Sequence, residues 1–97
     1  MLVFSLSDIC EERGIDYKGN DISCAKKTDS WEQCSHQCRR HLLCSHWTYL
    51  TEEYPRVDLR KSCCLKKGEI EIKTQEIGVV SGSKECGGQR KSIFNFG

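Results

Sequence analysis

Alternation of large apolar and polar residues predicts several short β-strands along this chain. Residues 45–50 (SHWTYL) alternate in this way, so Trp47 and Tyr49, with His46 as a third candidate, are expected to compete for the inner face of a half-buried strand. Residues 63–66 (CCLK) predict a second strand. Residues 77–82 (IGVVSG) form a short apolar run bounded by glycine, which predicts a final strand or turn.

Three other segments have weaker or different patterns. Residues 69–73 (EIEIK) fit either a strand with Ile70 and Ile72 inward or an ordered loop, and the pattern does not separate the two. Residues 51–62 (TEEYPRVDLRKS) are polar, charged and contain the only proline, so they predict a long exposed loop. Residues 9–23 predict a strand, a tight turn at a glycine and an asparagine, and another strand.

One helix is predicted to begin at Ser30. The Ser30 hydroxyl can accept a hydrogen bond from the amide of Gln33, and the Gln33 side chain can reach back, as in a capping box. The apolar face of this helix is expected to hold Trp31, Cys34, Cys38 and either His41 or Leu42. One helix of about three turns among several short strands predicts an α+β class.

Length and charge exclude several kinds of protein. Ninety-seven residues accommodate one domain, and the net charge of +1 gives no basic field of the kind that nucleic-acid binding needs. The chain has no apolar run of about 18 residues, so no membrane span is expected. Residues 1–9 are expected to be an N-terminal extension, too short for a complete signal peptide, and residues 87–97 a flexible tail.

The eight cysteines are the most informative feature of the composition. An even number at this density is typical of a small disulfide scaffold made in an oxidising, extracellular or secretory compartment, and a core of this size needs such bridges. Zinc is the alternative, because Cys34, Cys38 and Cys44 lie near three histidines. Their C-x3-C-x5-C spacing lacks the C-x2-C knuckle of structural zinc sites, so no metal or other cofactor is expected.

Five segments in order resemble the PAN/apple domain, which is found in plasma kallikrein, coagulation factor XI, plasminogen, hepatocyte growth factor and apicomplexan microneme adhesins. They are GIDYKGNDI, SWEQCSHQC, CSHWTY, CCLK and GVVSGSKEC, and the resemblance covers residues 10–86. It implies a small disulfide-rich domain in which a curved antiparallel sheet of about five strands packs around one helix. Such domains often occur in tandem arrays in longer chains.

The resemblance also implies a disulfide pattern. Carried over residue by residue, it pairs Cys10 with Cys86, Cys34 with Cys63, and Cys38 with Cys44. Cys24 and Cys64 depart from the six-cysteine core of the family. Because strand neighbours face opposite ways, Cys63 and Cys64 do not share a partner side, and we predict a Cys24–Cys64 bridge. Pairing of Cys34 with Cys64 is the open alternative, and an unpaired Cys24 would suggest a covalent link to another chain.

No catalytic residue is predicted. A Cys-His nucleophile needs a free thiolate, yet every cysteine has a plausible partner. His36 is expected to face solvent on the helix and His46 to lie on a strand surface. No G-x-S-x-G, H-E-x-x-H or phosphate-binding glycine loop occurs. The chain is therefore expected to be non-enzymatic.

The resemblance implies an extracellular adhesion or binding module for a protein or a glycan, and the basic residues suggest a sulfate- or carboxylate-binding patch. The candidates are Arg39, Arg40 and His41 at the helix end, Arg60 and Lys61 in the 51–62 loop, and Lys66 and Lys67 after the cysteine pair. The alternative is that Arg39 and Arg40 only complement the helix dipole and the other charges are solvated.

Two further functions are weighed. Some microneme apple domains resemble galactose-binding lectins, and Tyr54, with Glu52, Glu53, Arg56 and Asp58 nearby, could form a sugar site unless it packs back on the domain. A small secreted effector such as a protease inhibitor is the remaining alternative. It would present residues 51–62, with Tyr54-Pro55-Arg56 as the inhibitory tip.

Overall fold

The computed structural model describes residues 10–86, and the expectations for residues 1–9 and 87–97 lie outside them. Within residues 10–86, five strands form one antiparallel sheet in the order β1-β5-β3-β4-β2, with one helix and a short 3-10 turn at Val57–Leu59. The elements are β1 Glu12–Lys18, β2 Asp21–Lys27, α1 Trp31–Arg39, β3 His46–Leu50, β4 Ser62–Lys66 and β5 Ile72–Ser83. The predicted α+β class and five-stranded sheet are confirmed.

β1 and β2 flank the predicted tight turn, but they do not pair with each other. Gly19 and Asn20 adopt the positive φ angles, 81° and 61°, that this turn requires. The two strands instead occupy opposite edges of the sheet. A two-residue connection between opposite edges means that the sheet coils until its edges meet at this turn.

The helix begins as predicted and ends earlier. Ser30 Oγ accepts from the Gln33 amide at 3.2 Å, while Gln33 Oε1 accepts from the Asp29 amide at 2.9 Å. The helix stops at Arg39, so the expectation that His41 or Leu42 extends its buried face is wrong. Leu42 is 93% exposed because it lies in the loop that follows the helix.

The core lies between the helix and one face of the sheet. The Trp31 and Trp47 rings stack with centroids 5.6 Å apart and an interplanar angle of 8°. Tyr49, Leu65 and Val80 complete this cluster with the buried cysteines. Trp47 and Tyr49 therefore face inward, as the alternation of residues 45–50 predicts.

The opposite face of β3 is also covered. His46 is only 1% exposed, so the expectation that it lies on a strand surface is wrong. The cause is β1, which crosses this face: the Tyr17 ring lies 5.9 Å from the His46 ring, and the Tyr17 amide donates to Thr48 Oγ1 at 3.4 Å. This crossing is a long-range contact that local alternation does not encode.

Four disulfides join all eight cysteines: Cys10–Cys86, Cys24–Cys64, Cys34–Cys63 and Cys38–Cys44. These are the pairs expected above. Strand alternation explains the use of adjacent cysteines in β4: Cys63 faces the helix, whereas Cys64 faces the other side of the sheet with Leu50 and Val79.

The segment between β4 and β5 is a loop at residues 69–71, which is one of the two structures considered for it. Residues 69–71 form a loop, and β5 begins at Ile72. Ile70 and Ile72 are 36% and 55% exposed, so they do not point inward. Ile72 pairs with Lys18 at the end of β1, beyond the part of β5 that packs on β3.

Six of the twelve residues of the 51–62 segment are exposed, its last residue Ser62 is buried at the start of β4, and the segment is anchored at two points. Tyr54 and Leu59 pack against the cluster of Leu50, Cys64 and Val79. Tyr54 therefore packs back on the domain, which is one of the two possibilities considered for it.

Candidate functional site

A polar pocket opens on the sheet face opposite the helix, between the coiled edges β1 and β2. Its volume is about 320 Å³. We call it the sheet-face pocket; it is lined by Asp16, Lys18, Gly19, Asp21, Thr48, Leu50, Tyr54, Cys64, Lys66, Glu76 and Val79. Its walls come from every strand of the sheet, so coiling of the sheet creates it.

Lys66 is the buried cation of this pocket. Its side chain is 4% exposed because strand alternation places Lys66 on the same face as Cys64. The ammonium donates to Asp21 Oδ1 at 2.5 Å and to the Gly19 carbonyl at 3.2 Å. An ammonium has three N–H donors, and within residues 10–86 only these two groups accept from it. The third N–H has no acceptor among these residues.

Tyr54 forms another part of the wall together with Glu76. The Tyr54 hydroxyl donates to Glu76 Oε2 at 3.1 Å. Burial, and then the hydrogen bond to Glu76, raises the pKa of Tyr54, so its hydroxyl stays protonated. Gly78 has a φ of 81°, and a Cβ there would lie 2.6 Å from the Tyr54 backbone, so this glycine allows Tyr54 to approach β5.

Charges of both signs surround the pocket. Lys18 lies 3.4 Å from Asp16 and 3.9 Å from Glu76, and both distances exceed those of short hydrogen bonds. Carboxylates accept hydrogen bonds and ammonium groups donate them, so the pocket walls place acceptors and donors close together. A ligand with several neighbouring hydroxyl groups, which donate and accept at once, matches this arrangement better than a simple anion or an apolar molecule.

A second pocket, the helix-side pocket, lies between α1 and the β2–β4 edge. It has a volume of about 600 Å³ and is lined by Ser23, Lys26, Gln37, Arg40, His41, Cys63 and Leu65. Three of these side chains are basic, namely Lys26, Arg40 and His41. No carboxylate lines the pocket within the described part of the chain. The pocket therefore suits an anionic group.

The basic residues that the sequence suggested as one patch lie in different parts of the structure. Arg40 and His41 line the helix-side pocket, whereas Lys66 lies on the other face of the sheet. Lys67 is exposed just after β4. The remaining three have local partners: Arg39 donates to Ser35 Oγ, Arg60 Nε donates to the Tyr54 carbonyl at 2.7 Å, and Lys61 lies 3.7 Å from both Asp29 and Glu52.

The acidic residues proposed around Tyr54 also lie elsewhere. Glu52 and Glu53 line a different pocket, with Arg13 and Asp29. Arg56, the tip residue of the inhibitor alternative, forms an exposed ion pair with Asp58 at 3.1 Å.

Sequence reasoning missed the carboxylates Asp16, Asp21 and Glu76. Asp16 and Glu76 are 60 positions apart and meet only because β1 pairs with β5. A partial signal exists for Asp21, which directly follows the tight turn and pairs with Lys66 in the β2–β4 register.

The histidines and cysteines occupy separate environments. His36 is exposed beside Arg39, His41 accepts from the Leu43 amide, and His46 is buried. Burial, and then the positive charge of Lys66, lowers the pKa of His46. Among the described residues, one cluster has the spacing of metal ligands, namely Cys10, Glu11 and Cys86, but its two sulfurs are joined in a disulfide.

Comparisons with known proteins agree with this architecture. Over the described residues, no helix is both long and apolar enough to cross a membrane. The solution structure of the two N-terminal apple domains of Toxoplasma gondii microneme protein 4 is similar, with a TM-score of 0.58 and 25% sequence identity. The match covers 75% of this chain and 43% of that two-domain chain. The family model of the PAN domain matches residues 15–66, more than half of the sequence. The chain therefore belongs to the PAN domain family.

Proposed function

We propose that this PAN domain is a non-catalytic, extracellular recognition module that binds a neutral sugar in the sheet-face pocket. PAN and apple domains are generally binding modules. The four disulfides favour an oxidising compartment, where glycan and protein ligands of adhesion modules occur.

The buried Lys66 ammonium carries this proposal. The Lys66 side chain is only 4% exposed, and burying a cation costs considerable desolvation free energy unless its N–H groups are hydrogen-bonded. Asp21 and Gly19 occupy two donors, and a sugar hydroxyl can accept from the third. Other hydroxyls of the same sugar can then donate to Asp16 or Glu76, which line the same pocket.

The volume of the pocket fits a small ligand. About 320 Å³ lies at the lower end of the range for small-molecule sites and admits one or two sugar rings rather than a long chain. Contact with the Tyr54 ring, which packs at the edge of the pocket, would supply the apolar part of the recognition.

The first experiment is binding of the oxidised 97-residue chain to a glycan array with galactose-terminated and sulfated sugars at physiological salt. We expect salt-insensitive binding to neutral sugars. Asp16→Asn and Glu76→Gln should each weaken it about tenfold or more, because a hydrogen bond to a charged group is lost. Asp58→Asn, an exposed carboxylate outside the pocket, is the matched control and should leave binding unchanged. Equal losses in all three variants would contradict the proposal.

The helix-side pocket gives a second candidate, a sulfated or carboxylated glycan. The observation that favours it is the group of Lys26, Arg40 and His41 without a carboxylate among the described lining residues. Array signals that fall with added salt, and that are lost in Lys26→Gln and Arg40→Gln, would identify this site. A silent array would favour a protein partner, which includes the inhibitor alternative.

A further inference from the structure

The two residues of the Cys24–Cys64 disulfide differ in exposure and in support. Cys24 is exposed on the edge strand β2, whereas Cys64 is 8% exposed on β4. The register of the β2–β4 ladder shifts between Ser23 and Lys26, so Cys24 lies in a stretch without regular pairing. Cys64 instead pairs in register with Thr48 of β3. A thiol in solution can therefore approach this bridge from the Cys24 side.

The other three bridges are less open to attack by an external thiol. In two of them both residues are at most 2% exposed, namely Cys34–Cys63 and Cys38–Cys44. In the third, Cys10 is exposed, but a carboxylate oxygen of Glu11 lies within 4.8 Å of both sulfurs. Arg13 pairs with this carboxylate at 3.2 Å, but its side chain is 66% exposed and its charge is screened by solvent. The attacking species is a thiolate anion, which the Glu11 charge repels.

Lys66 favours departure of the Cys64 sulfur when the bridge is attacked. Both side chains lie on one face of β4 and line the sheet-face pocket. Asp21 and the Gly19 carbonyl accept two of the three N–H groups of Lys66, and the third has no acceptor among residues 10–86. A sulfur anion can accept this N–H and is stabilised by the positive charge. A stabilised thiolate leaves faster in thiol–disulfide exchange.

The other carboxylates of the sheet-face pocket have a cation of their own. Asp16 and Glu76 lie 3.4 and 3.9 Å from the Lys18 ammonium, which balances part of their charge. Neither of them accepts a hydrogen bond from Lys66. The third N–H of Lys66 is therefore the donor that a Cys64 thiolate can use.

We propose that Cys24 is a thiol-exchange site at which a small thiol such as glutathione opens the Cys24–Cys64 bridge, with Lys66 stabilising the Cys64 thiolate. The thiolate of the small thiol attacks Cys24 Sγ, the sulfur–sulfur bond breaks, and its electron pair remains on Cys64 Sγ. The first product is a mixed disulfide at Cys24.

A second small thiol then releases Cys24 from the mixed disulfide. In total, two small thiols lose two electrons and two protons and become one disulfide. The bridge accepts the two electrons, one proton passes to Cys24 and the other to solvent, and Cys64 remains a thiolate beside Lys66. The reaction therefore needs no reactant other than the small thiol.

Opening of this bridge should also weaken ligand binding in the sheet-face pocket, a consequence that rests on the proposed sugar binding. The Cys64 thiolate would take the N–H of Lys66 that a sugar hydroxyl uses. In addition, β2 would lose its covalent link to β4, and β2 carries Asp21, the ion-pair partner of Lys66. We expect sugar affinity to fall about tenfold or more on reduction and to return on reoxidation.

Timed reduction of the oxidised 97-residue chain by glutathione tests the exchange site without any sugar. Alkylation at intervals and tandem mass spectrometry, which separates the adjacent Cys63 and Cys64, identify the bridge that opens first. We expect this to be Cys24–Cys64, with glutathione bound to Cys24. Lys66→Gln should slow this opening about tenfold or more, whereas Lys67→Gln, which removes an exposed cation next in the sequence, is the matched control and should not.

A variant outside the pocket tests the electrostatic explanation independently. Glu11→Gln removes the charge beside the Cys10–Cys86 bridge, so this bridge should open faster while Cys24–Cys64 keeps its rate. The proposal would be overturned by another bridge opening first in the unmodified chain or by glutathione bound to Cys64 instead of Cys24. Equal opening rates in Lys66→Gln and Lys67→Gln would also overturn it.

Sugar binding before and after reduction tests the consequence for the sheet-face pocket. Binding should fall as Cys24–Cys64 opens, and glutathione should not change the binding of the Cys24→Ser/Cys64→Ser variant. Binding that survives opening of the bridge would contradict the link between exchange and the pocket. An oxidised chain that binds no sugar would contradict the proposed function, whereas the order in which the bridges open would still decide the exchange site.

Discussion

At the scale of single residues, Gly82 allows β5 to lie directly against the Trp47 ring. A Cβ at this position would lie 2.5 Å from the Trp47 ring and 3.2 Å from the Cys86 Cβ. Trp47 is fully buried and stacked on Trp31, so its ring cannot move aside without disturbing the core.

We expect Gly82→Ala to lower the free energy of unfolding by about 1–3 kcal/mol, the usual penalty for overpacking a core. Guanidinium chloride unfolding of the oxidised protein measures this value. Trp47→Phe in the Gly82→Ala background should recover part of the loss, because the smaller ring leaves space for the added methyl group. An alanine variant as stable as the original chain would show that the core accommodates this group.

We expect the stability of the fold to depend on pH through His46. Its ring lies between Tyr17, Ser45 and Lys66, with Ser45 Oγ 2.8 Å from Nδ1, and Asp21 is the nearby acidic group. Burial and the Lys66 charge lower the pKa of His46 below 6.5, and the Asp21 charge only partly offsets them. The folded state therefore holds this ring neutral at a pH where the unfolded chain already binds a proton.

The free energy of unfolding should accordingly be highest above about pH 6.5 and fall as the pH drops toward the lower pKa of the folded state. His46→Gln should flatten the dependence in this window, whereas His36→Gln, an exposed matched control, should retain it. Glu12, whose pKa is lowered from 4.5 by hydrogen bonds from Tyr17 and Lys73, contributes only at more acidic pH. An unchanged slope in the His46 variant would contradict this assignment.

At the scale of the elements, local patterns predicted what depends on near neighbours. The Ser30 cap and the alternation around Trp47 are short-range signals, and both features are present in the structure. The burial of His46 could not be predicted in this way, because it depends on β1 crossing from a distant part of the sequence. Leu42 was misplaced for a similar reason: periodicity does not show that the helix ends at Arg39, inside the loop that the Cys38–Cys44 bridge closes.

β2 pairs with one other strand, β4. It is an edge strand, its register with β4 shifts on both sides of Ser23, and six of its seven residues are exposed. Cys24 is itself exposed, in contrast to Cys34 and Cys63, which are fully buried between helix and sheet.

Removing the Cys24–Cys64 bridge with a double serine substitution should therefore leave the fold intact and increase amide hydrogen exchange mainly in β2. Removal of Cys34–Cys63 should increase exchange throughout the helix and the central strands, because that bridge is part of the core. Exchange measured by mass spectrometry separates the two patterns. Global loss of protection in the Cys24/Cys64 variant would show that the edge strand is required for the whole domain.

At the scale of the whole molecule, the candidate site arises from coiling of the sheet. Tyr54 and Lys66 were selected from the sequence for different reasons, the first as a sugar platform and the second as part of a basic patch. The structure places both in one pocket, with three carboxylates that no local pattern connects to them. Residue chemistry thus selected two residues that line the sheet-face pocket, whereas their grouping with the carboxylates required the strand order.

The Cys10–Cys86 bridge has a mechanical consequence. It holds the two Cα atoms 5.5 Å apart, although the chain between them would span roughly 250 Å when fully extended. Pulling on the flanking segments therefore loads the sulfur–sulfur bond, and the sheet between these two cysteines is shielded from shear. While the bridge is intact, the domain transmits tension at nearly constant length and its ligand pockets keep their shape. Reduction of this single bond would make only residues 10–24 and 64–86 extensible, because the Cys24–Cys64 bridge still closes the chain between them.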